Sequence, residues 1–239
     1  MFCSTRKSLG ANSSTPPGST NRIVLANLLP ETGRVTDGPL PTILLATNNP
    51  GKVREFRRLI EPFGFAVRTP AEAGIALDVV EDGTSYTANA VLKASAFAEA
   101  GECLALADDS GIEVDALDGR PGMFSARYGG PGLDDGGRTQ LLLQELDGVP
   151  LPRRTARYRA GVALAWPAVC EREPVTFEGV QEGSIALRPR GSGGFGYDPV
   201  FLIDGERTQA ELSDDEKDTI SHRGKAVRAA AEWLRGQPG

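Results

Sequence analysis

From Pro41 onward, apolar runs of strand length first alternate with segments of helical period, and then several strand-like runs follow one another with no helix between them. Interleaving followed by succession points to a mixed β-sheet flanked by helices, an α/β fold that is not a purely doubly wound one. Ile43-Leu44-Leu45-Ala46 is the first strand signal, and a helix is predicted over 53–60 with Val53, Phe56, Leu59 and Ile60 on one face. An Ala-rich helix is predicted over 86–100, with Gly101 just past its last turn as the C-cap. Further on, 138–146 reads as a helix, 158–166, 174–180 and 184–187 as strands, 200–203 as a short apolar run, and 225–234 as a closing helix presenting Val227, Ala230, Trp233 and Leu234 to a core.

A chain of 239 residues with 40% hydrophobic content has material for one substantial core, which we expect as a single domain over 41–236. Residues 1–40 are rich in Ser, Thr, Asn, Pro and Gly and read as a disordered extension. They lack the uninterrupted apolar core of a secretory signal. No apolar run approaches the roughly 20 residues of a membrane span. The net charge is −6 although the first forty residues are on balance basic, so the remainder is acidic, which argues against stable binding to nucleic acid. Three widely spaced cysteines and one histidine exclude a structural zinc site and fit a reducing, cytoplasmic setting.

Chemistry concentrates in a few segments. An apolar run, Cys103 to Ala107, delivers Asp108-Asp109 into Ser110-Gly111, which reads as a strand ending in an acidic turn. Alternation along a strand would point Asp108 and Asp109 apart, leaving one carboxylate for a cleft. One such acid and one distant partner suffice for magnesium, which fills its shell with water and phosphate oxygens. Glu81, in the loop Glu81-Asp82-Gly83-Thr84-Ser85-Tyr86 ahead of Asn89 and Lys93, is the best second acid, though it also reads as an ordinary exposed loop residue.

Thr47-Asn48-Asn49-Pro50-Gly51-Lys52 lies between the first strand and the first helix, where backbone N–H groups favour anions and Lys52 adds a full charge. Asn and Pro-Gly also build plain turns. It is no P-loop, because Ala46 and Val53 stand where that motif needs Gly and Ser or Thr. Gly191-Ser192-Gly193-Gly194-Phe195-Gly196 matches the dinucleotide fingerprint literally, but Tyr197-Asp198-Pro199-Val200-Phe201 after it reads as turn and strand where that fingerprint needs a helix. What remains is a glycine approach that offers Phe195 or Tyr197 to a planar base, or simply a hairpin with two core aromatics. Ser213 and Glu216 form a capping box for a short helix bearing Lys217. His222 and Arg223 sit at the start of the closing helix, as donors suited to a carbonyl or phosphate oxygen.

The order and spacing of these segments, with Ile112-Glu113-Val114-Asp115 and Ser125-Ala126-Arg127-Tyr128 after the acid pair and Ser221-His222-Arg223-Gly224 near the end, resemble the inosine triphosphate pyrophosphatase (Ham1-like) family in its bacterial dITP/XTP branch. The resemblance runs from Ile43 to the closing helix. It implies an elongated two-lobed fold with the active site between the lobes, a homodimer, Mg²⁺, and hydrolysis of ITP, dITP and XTP to the monophosphate and pyrophosphate. Carried over residue by residue, it implies Asp109 as catalytic acid and metal ligand, Glu81 as second metal ligand, and Ser110 on the substrate. Thr47, Asn48, Asn49, Pro50, Gly51, Lys52 and Lys217 would hold phosphates. Phe195, Gly196, Tyr197 and Asp198 would line the base and sugar pocket, and His222 and Arg223 would face the six-position oxygen of the purine. A nucleotide sensor without turnover and a pyrophosphatase for modified pyrimidines are the alternative readings.

Overall fold

The computed structural model describes residues 40–237; the expected extension therefore lies outside the described residues, apart from Leu40. The elements run β1 (Thr42–Leu45), α1 (Pro50–Ile60), β2 (Ala66–Arg68), α2 (Pro70–Ala73), α3 (Tyr86–Gly101), β3 (Ala105–Val114), α4 (Asp135–Glu145), β4 (Thr155–Ala165), β5 (Val175–Ile185), β6 (Phe201–Leu202), α5 (Asp214–Ile220) and α6 (His222–Arg235), with short 3₁₀ turns between them. One six-stranded sheet has the order β2-β1-β3-β4-β5-β6. β1 is parallel to β2 and β3, while the β3–β4, β4–β5 and β5–β6 pairs are antiparallel. This is the mixed sheet expected.

Side-chain alternation splits the first core across the sheet. Ile43 and Leu45 pack with Phe56, Leu59, Ile60, Val227, Ala230 and Leu234 from α1 and α6. Leu44, Ala105 and Ala107 face Ala90, Ala94 and Phe97 of α3, where small side chains let the helix lie close. A second core gathers Ile112 and Val114 of β3 with Leu142 and Leu146 around α4 and with Tyr158, Ile185, Tyr197 and Phe201. β3 and β4 thus run from one core into the other, and the acid pair falls at the junction.

That junction corrects the expected acidic turn. Asp108, Asp109, Ser110 and Gly111 remain in β3, opposite Val162, Gly161, Ala160 and Arg159 of β4. The carboxylates survive inside a strand because partners outside it meet both charges, as described below. Gly161, opposite Asp109, is required for close approach: a Cβ there would lie 2.5 Å from the Thr87 backbone nitrogen of α3.

Other boundaries shift for local reasons. The strands expected at 174–180 and 184–187 are one strand, β5, because polar Gln181 and Glu182 keep their pairing with Tyr158 and Arg157. α4 begins at Asp135 despite Gly136 and Gly137, since the Asp134 carboxylate accepts from the Gly137 N–H. α6 begins at His222, capped by Ser221, whose hydroxyl accepts from the Gly224 N–H. The capping box of Ser213 and Glu216 does start α5. Gly101 is the last residue of α3, and Glu102 takes the left-handed cap conformation at φ 49°. Gly101 is there for space, as a Cβ would sit 2.7 Å from Leu44 Cδ2.

Candidate active site

At the junction of the two cores lies a cavity of about 270 Å³, bounded by α1, β3, β4, α4, α6 and the glycine-rich segment before β6. β3 delivers its two acids to opposite faces. Asp109 turns toward α3, where Asn89 Nδ2 donates to Oδ2 at 2.9 Å and Lys93 Nζ lies 3.9 Å from Oδ1. Asp108 turns toward α1 and α6, with Lys52 Nζ at 2.9 Å and Arg223 Nε at 3.2 Å. Ser110, two residues on and therefore on the Asp108 face, donates to Asp108 at 3.1 Å and accepts from Arg223 Nη2 at 2.9 Å.

The electrostatics of the two acids diverge. Burial raises the Asp109 carboxyl; Lys93 and Asn89 oppose this, nearby Glu81 adds to it, and the balance lies above the ordinary value. For Asp108 burial acts upward too, but Lys52 and Arg223 overcome it and hold the acid well below the carboxylate range. Asp109 lines the cavity, so the face left open by the sequence is decided.

Behind Asp108 an alternating chain of charge joins three elements. Arg223 Nη1 pairs with Glu55 at 2.5 Å, Glu55 with Lys217 Nζ at 2.5 Å, and Lys217 with Asp198 at 2.6 Å. All four side chains are buried. Burial pushes the Glu55 carboxyl up, yet the two cations outweigh it and hold it below its usual value. Glu55 is a residue that sequence reading missed. Its signal was available, since an acid on the Phe56 side of an amphipathic helix is expected to be paired.

Asp198 is fastened on every side: Tyr158 Oη and Gln209 Nε2 donate to Oδ1 at 3.3 and 2.9 Å, and the Phe195 N–H donates to Oδ2 at 2.9 Å. Phe195 lies against Gly51, whose hypothetical Cβ would be 2.6 Å from the ring. Lys217 and Arg223 stand 5.1 and 5.4 Å from its centroid. Tyr197 is buried, its hydroxyl donating to the Ser125 carbonyl at 2.9 Å. His222 stacks on Tyr158, with centroids 4.5 Å apart and planes 9° from parallel. Burial, followed by the charges of Arg223 and Lys217, drives its pKa well below the ordinary histidine value, so the imidazole is neutral. Its buried Nδ1 has no hydrogen-bond partner among the described residues, and the ring lines the cavity.

Of the residues singled out by sequence, Asn49, Lys52, Glu81, Asp109, Ser110, Phe195, Gly196, Tyr197, Asp198, Lys217, His222 and Arg223 line this cavity. Thr47, Asn48, Pro50 and Gly51 are not in its lining. Asn49 Oδ1 accepts from the Gly51 and Lys52 N–H groups at 2.9 and 3.1 Å, which caps α1 with a side chain. Lys93, Tyr158, Asp135 and Arg138 join the lining from α3, β4 and α4.

Glu81 and Asp109 both approach Lys93 Nζ, at 3.3 and 3.9 Å, so two carboxylates already converge on one cation. Among the described residues no group of three or more His, Cys, Asp or Glu is placed to hold a metal. Two acids, with water and phosphate oxygens completing the shell, suit magnesium. Among the described residues no helix is long and apolar enough to cross a membrane.

Residues 43–233 match the Ham1 family. The dITP/XTP pyrophosphatase of Bacillus subtilis is 45% identical over 192 residues, covering 80% of this chain and 96% of the relative. That of Desulforamulus reducens is 47% identical over 193 residues, covering 80% and 94%. Among solved structures, a HAM1 protein from Coxiella burnetii superposes with a TM-score of 0.73 at 36% identity, covering 82% of this chain and 99% of that one. The nucleoside-triphosphatase, dITP/XTP pyrophosphatase, from Mycobacterium abscessus gives 0.63 at 42% identity, covering 81% and 98%.

Proposed function

The chain belongs to the Ham1 family, and from that premise we propose that it hydrolyses non-canonical purine nucleoside triphosphates, ITP, dITP and XTP, to the monophosphate and pyrophosphate, clearing them from the nucleotide pool. The observation that carries this reading is a single cavity lined by the raised carboxyl of Asp109, by Lys52, Lys93, Lys217 and Arg223, and by Phe195 and His222. Acid, cations and aromatic surfaces are the three things that cleavage of a purine triphosphate needs.

Asp109 accepts a hydrogen bond from the water that attacks the α-phosphorus and takes its proton as the bond to phosphorus forms. A carboxyl raised by burial is a stronger base than an exposed one. Lys52, Lys93 and Lys217 meet the negative charge that spreads over the phosphoryl oxygens, and the leaving group departs as pyrophosphate. Asn49, on the lining beside Lys52, offers a further polar contact; Thr47, Asn48, Pro50 and Gly51 serve by shaping the start of α1. Glu81 and Asp109 would hold Mg²⁺, which when bound neutralises phosphate charge and orients the scissile group.

Selectivity rests on donors at the base edge. Arg223 uses one N–H on each nitrogen for Asp108, Glu55 and Ser110, which leaves two of its five free. With the neutral imidazole of His222, these meet a six-position oxygen. A six-amino group would leave them unpaired, a mismatch that costs orders of magnitude in rate. We further infer a homodimer acting in the cytoplasm, without nucleic-acid or membrane partners; light scattering of the purified protein tests the assembly.

The test of the reaction is pyrophosphate release from ITP, XTP, ATP and GTP with Mg²⁺, wild type beside Asp109→Asn. Release from ITP and XTP, lost in the variant, is expected. No release from any of the four by folded protein would overturn the assignment.

A further inference from the structure

We infer that α4 sets the position of the base-binding wall: Asp135 and Thr139 are positioning residues that hold the Phe195–Gly196 segment from the side away from the acid pair. The inference rests on the nucleotide pyrophosphatase reading above. Asp135 and Thr139 lie one helical turn apart and face the same way. Asp135 Oδ2 accepts from the Gly196 N–H at 2.9 Å, and Thr139 Oγ1 donates to the Gly196 carbonyl at 3.3 Å. Both backbone groups of one residue are thus bonded to a single helix.

Gly196 needs such holding. Its φ is +61° and that of Gly194 is +70°, so glycines flank Phe195 in a conformation that side-chain sterics do not enforce. On its other side the segment borders a second groove of about 670 Å³, lined by Thr139, Leu143, Leu187 and Arg188 and again by Asp135, Phe195 and Gly196. Asp135, Phe195 and Gly196 line both spaces, so this segment is the wall between them, and its hydrogen bonds help to decide where it stands. From the acid-pair side it is held by the Phe195 N–H bond to Asp198 and by the contact of the ring with Gly51. From the other side it is held by α4, which belongs to the second core. Without the α4 bonds the segment relaxes toward the groove and takes Phe195 off the floor of the base site. Among the described residues no hydrogen bond joins α4 to Asp109, so the effect falls on binding and base choice, not on the chemical step.

The experiment measures kcat and KM for ITP and ATP in wild type, Asp135→Ala, Asp135→Asn, Thr139→Val and Thr139→Ser, and repeats Asp135→Ala in a Phe195→Ala background. The expected result is a rise of roughly ten-fold in KM for ITP in Asp135→Ala, the equivalent of one lost charge-assisted hydrogen bond, with kcat within about two-fold. Thr139→Val shifts KM the same way, and Asp135→Asn and Thr139→Ser, which keep an acceptor and a hydroxyl, recover most of the loss. In the Phe195→Ala background Asp135→Ala adds nothing further. Unchanged KM, a fall confined to kcat, or full additivity with Phe195→Ala would each overturn the inference while leaving the reaction assigned. A wild type without turnover of ITP would overturn the reaction and this inference with it.

Discussion

Glu55 is the residue on which the stability of this site turns, and Glu55→Gln tests that claim. The carboxylate is buried and carries two ion pairs at 2.5 Å, to Arg223 on α6 and Lys217 on α5. Glutamine keeps the shape and one acceptor but removes the charge that both cations share. Breaking a buried pair by removing one partner costs ~3–5 kcal/mol. The lower end applies, because Arg223 keeps Asp108 at 3.2 Å and Lys217 keeps Asp198 at 2.6 Å. A loss of ~3 kcal/mol from a typical ~5–15 leaves the variant folded at 25 °C but moves its urea midpoint down by ~1.5 M, taking a slope near 2 kcal/mol per molar. Equilibrium unfolding in urea, followed by circular dichroism, reads this directly. Added pyrophosphate should stabilise the variant more than wild type, since an anion substitutes for the missing carboxylate. A loss below ~1 kcal/mol, or equal stabilisation by pyrophosphate, would refute the view that Glu55 neutralises a buried cation pair.

Three further outcomes are expected. His222→Ala lowers the preference for ITP over ATP while retaining part of the turnover of ITP; equal losses on both substrates would contradict a role at the base edge. The same variant tests a pH effect. Because burial keeps the folded His222 neutral far below 6.5, the unfolded chain alone binds that proton as pH falls, so stability drops below pH 6.5 by up to about 1.4 kcal/mol per unit. Between pH 6.5 and 5.5, above the range where Glu55 and Asp108 titrate in the unfolded chain, urea titrations should show a loss of about 1 kcal/mol in wild type that is absent from His222→Ala. Finally, Gly161→Ala puts a Cβ 2.5 Å from the Thr87 backbone nitrogen, and since neither backbone can yield, a loss of ~2 kcal/mol or more is expected in the same unfolding assay.

Much of this protein was readable without coordinates. Apolar periodicity located the four longer helices, β1, β4 and parts of β3, β5 and β6, because burial of one face writes itself into spacing, while the three-residue β2 and the order of strands in the sheet were not legible there. The capping box at Ser213 and the helix start near His222 were likewise local matters, decided within a few residues. Motif order alone pointed to the family to which the chain belongs. Nonlocal partners decided the rest. Asp108-Asp109-Ser110-Gly111 looks like a turn by composition, yet it is strand, because β4 supplies its hydrogen bonds and Lys52, Arg223, Asn89 and Lys93 supply its charge balance from three helices. Gln181 and Glu182 broke an apolar pattern that β4 pairing restores. Which acid faces the cavity, why Glu55 is buried, and how α4 reaches Gly196 depend on contacts between residues as many as 168 positions apart. Sequence thus determined which local segments form and what chemistry they carry, while tertiary structure alone chose the faces and partners, since a charge inside a fold is stabilised only by whatever the chain brings opposite it.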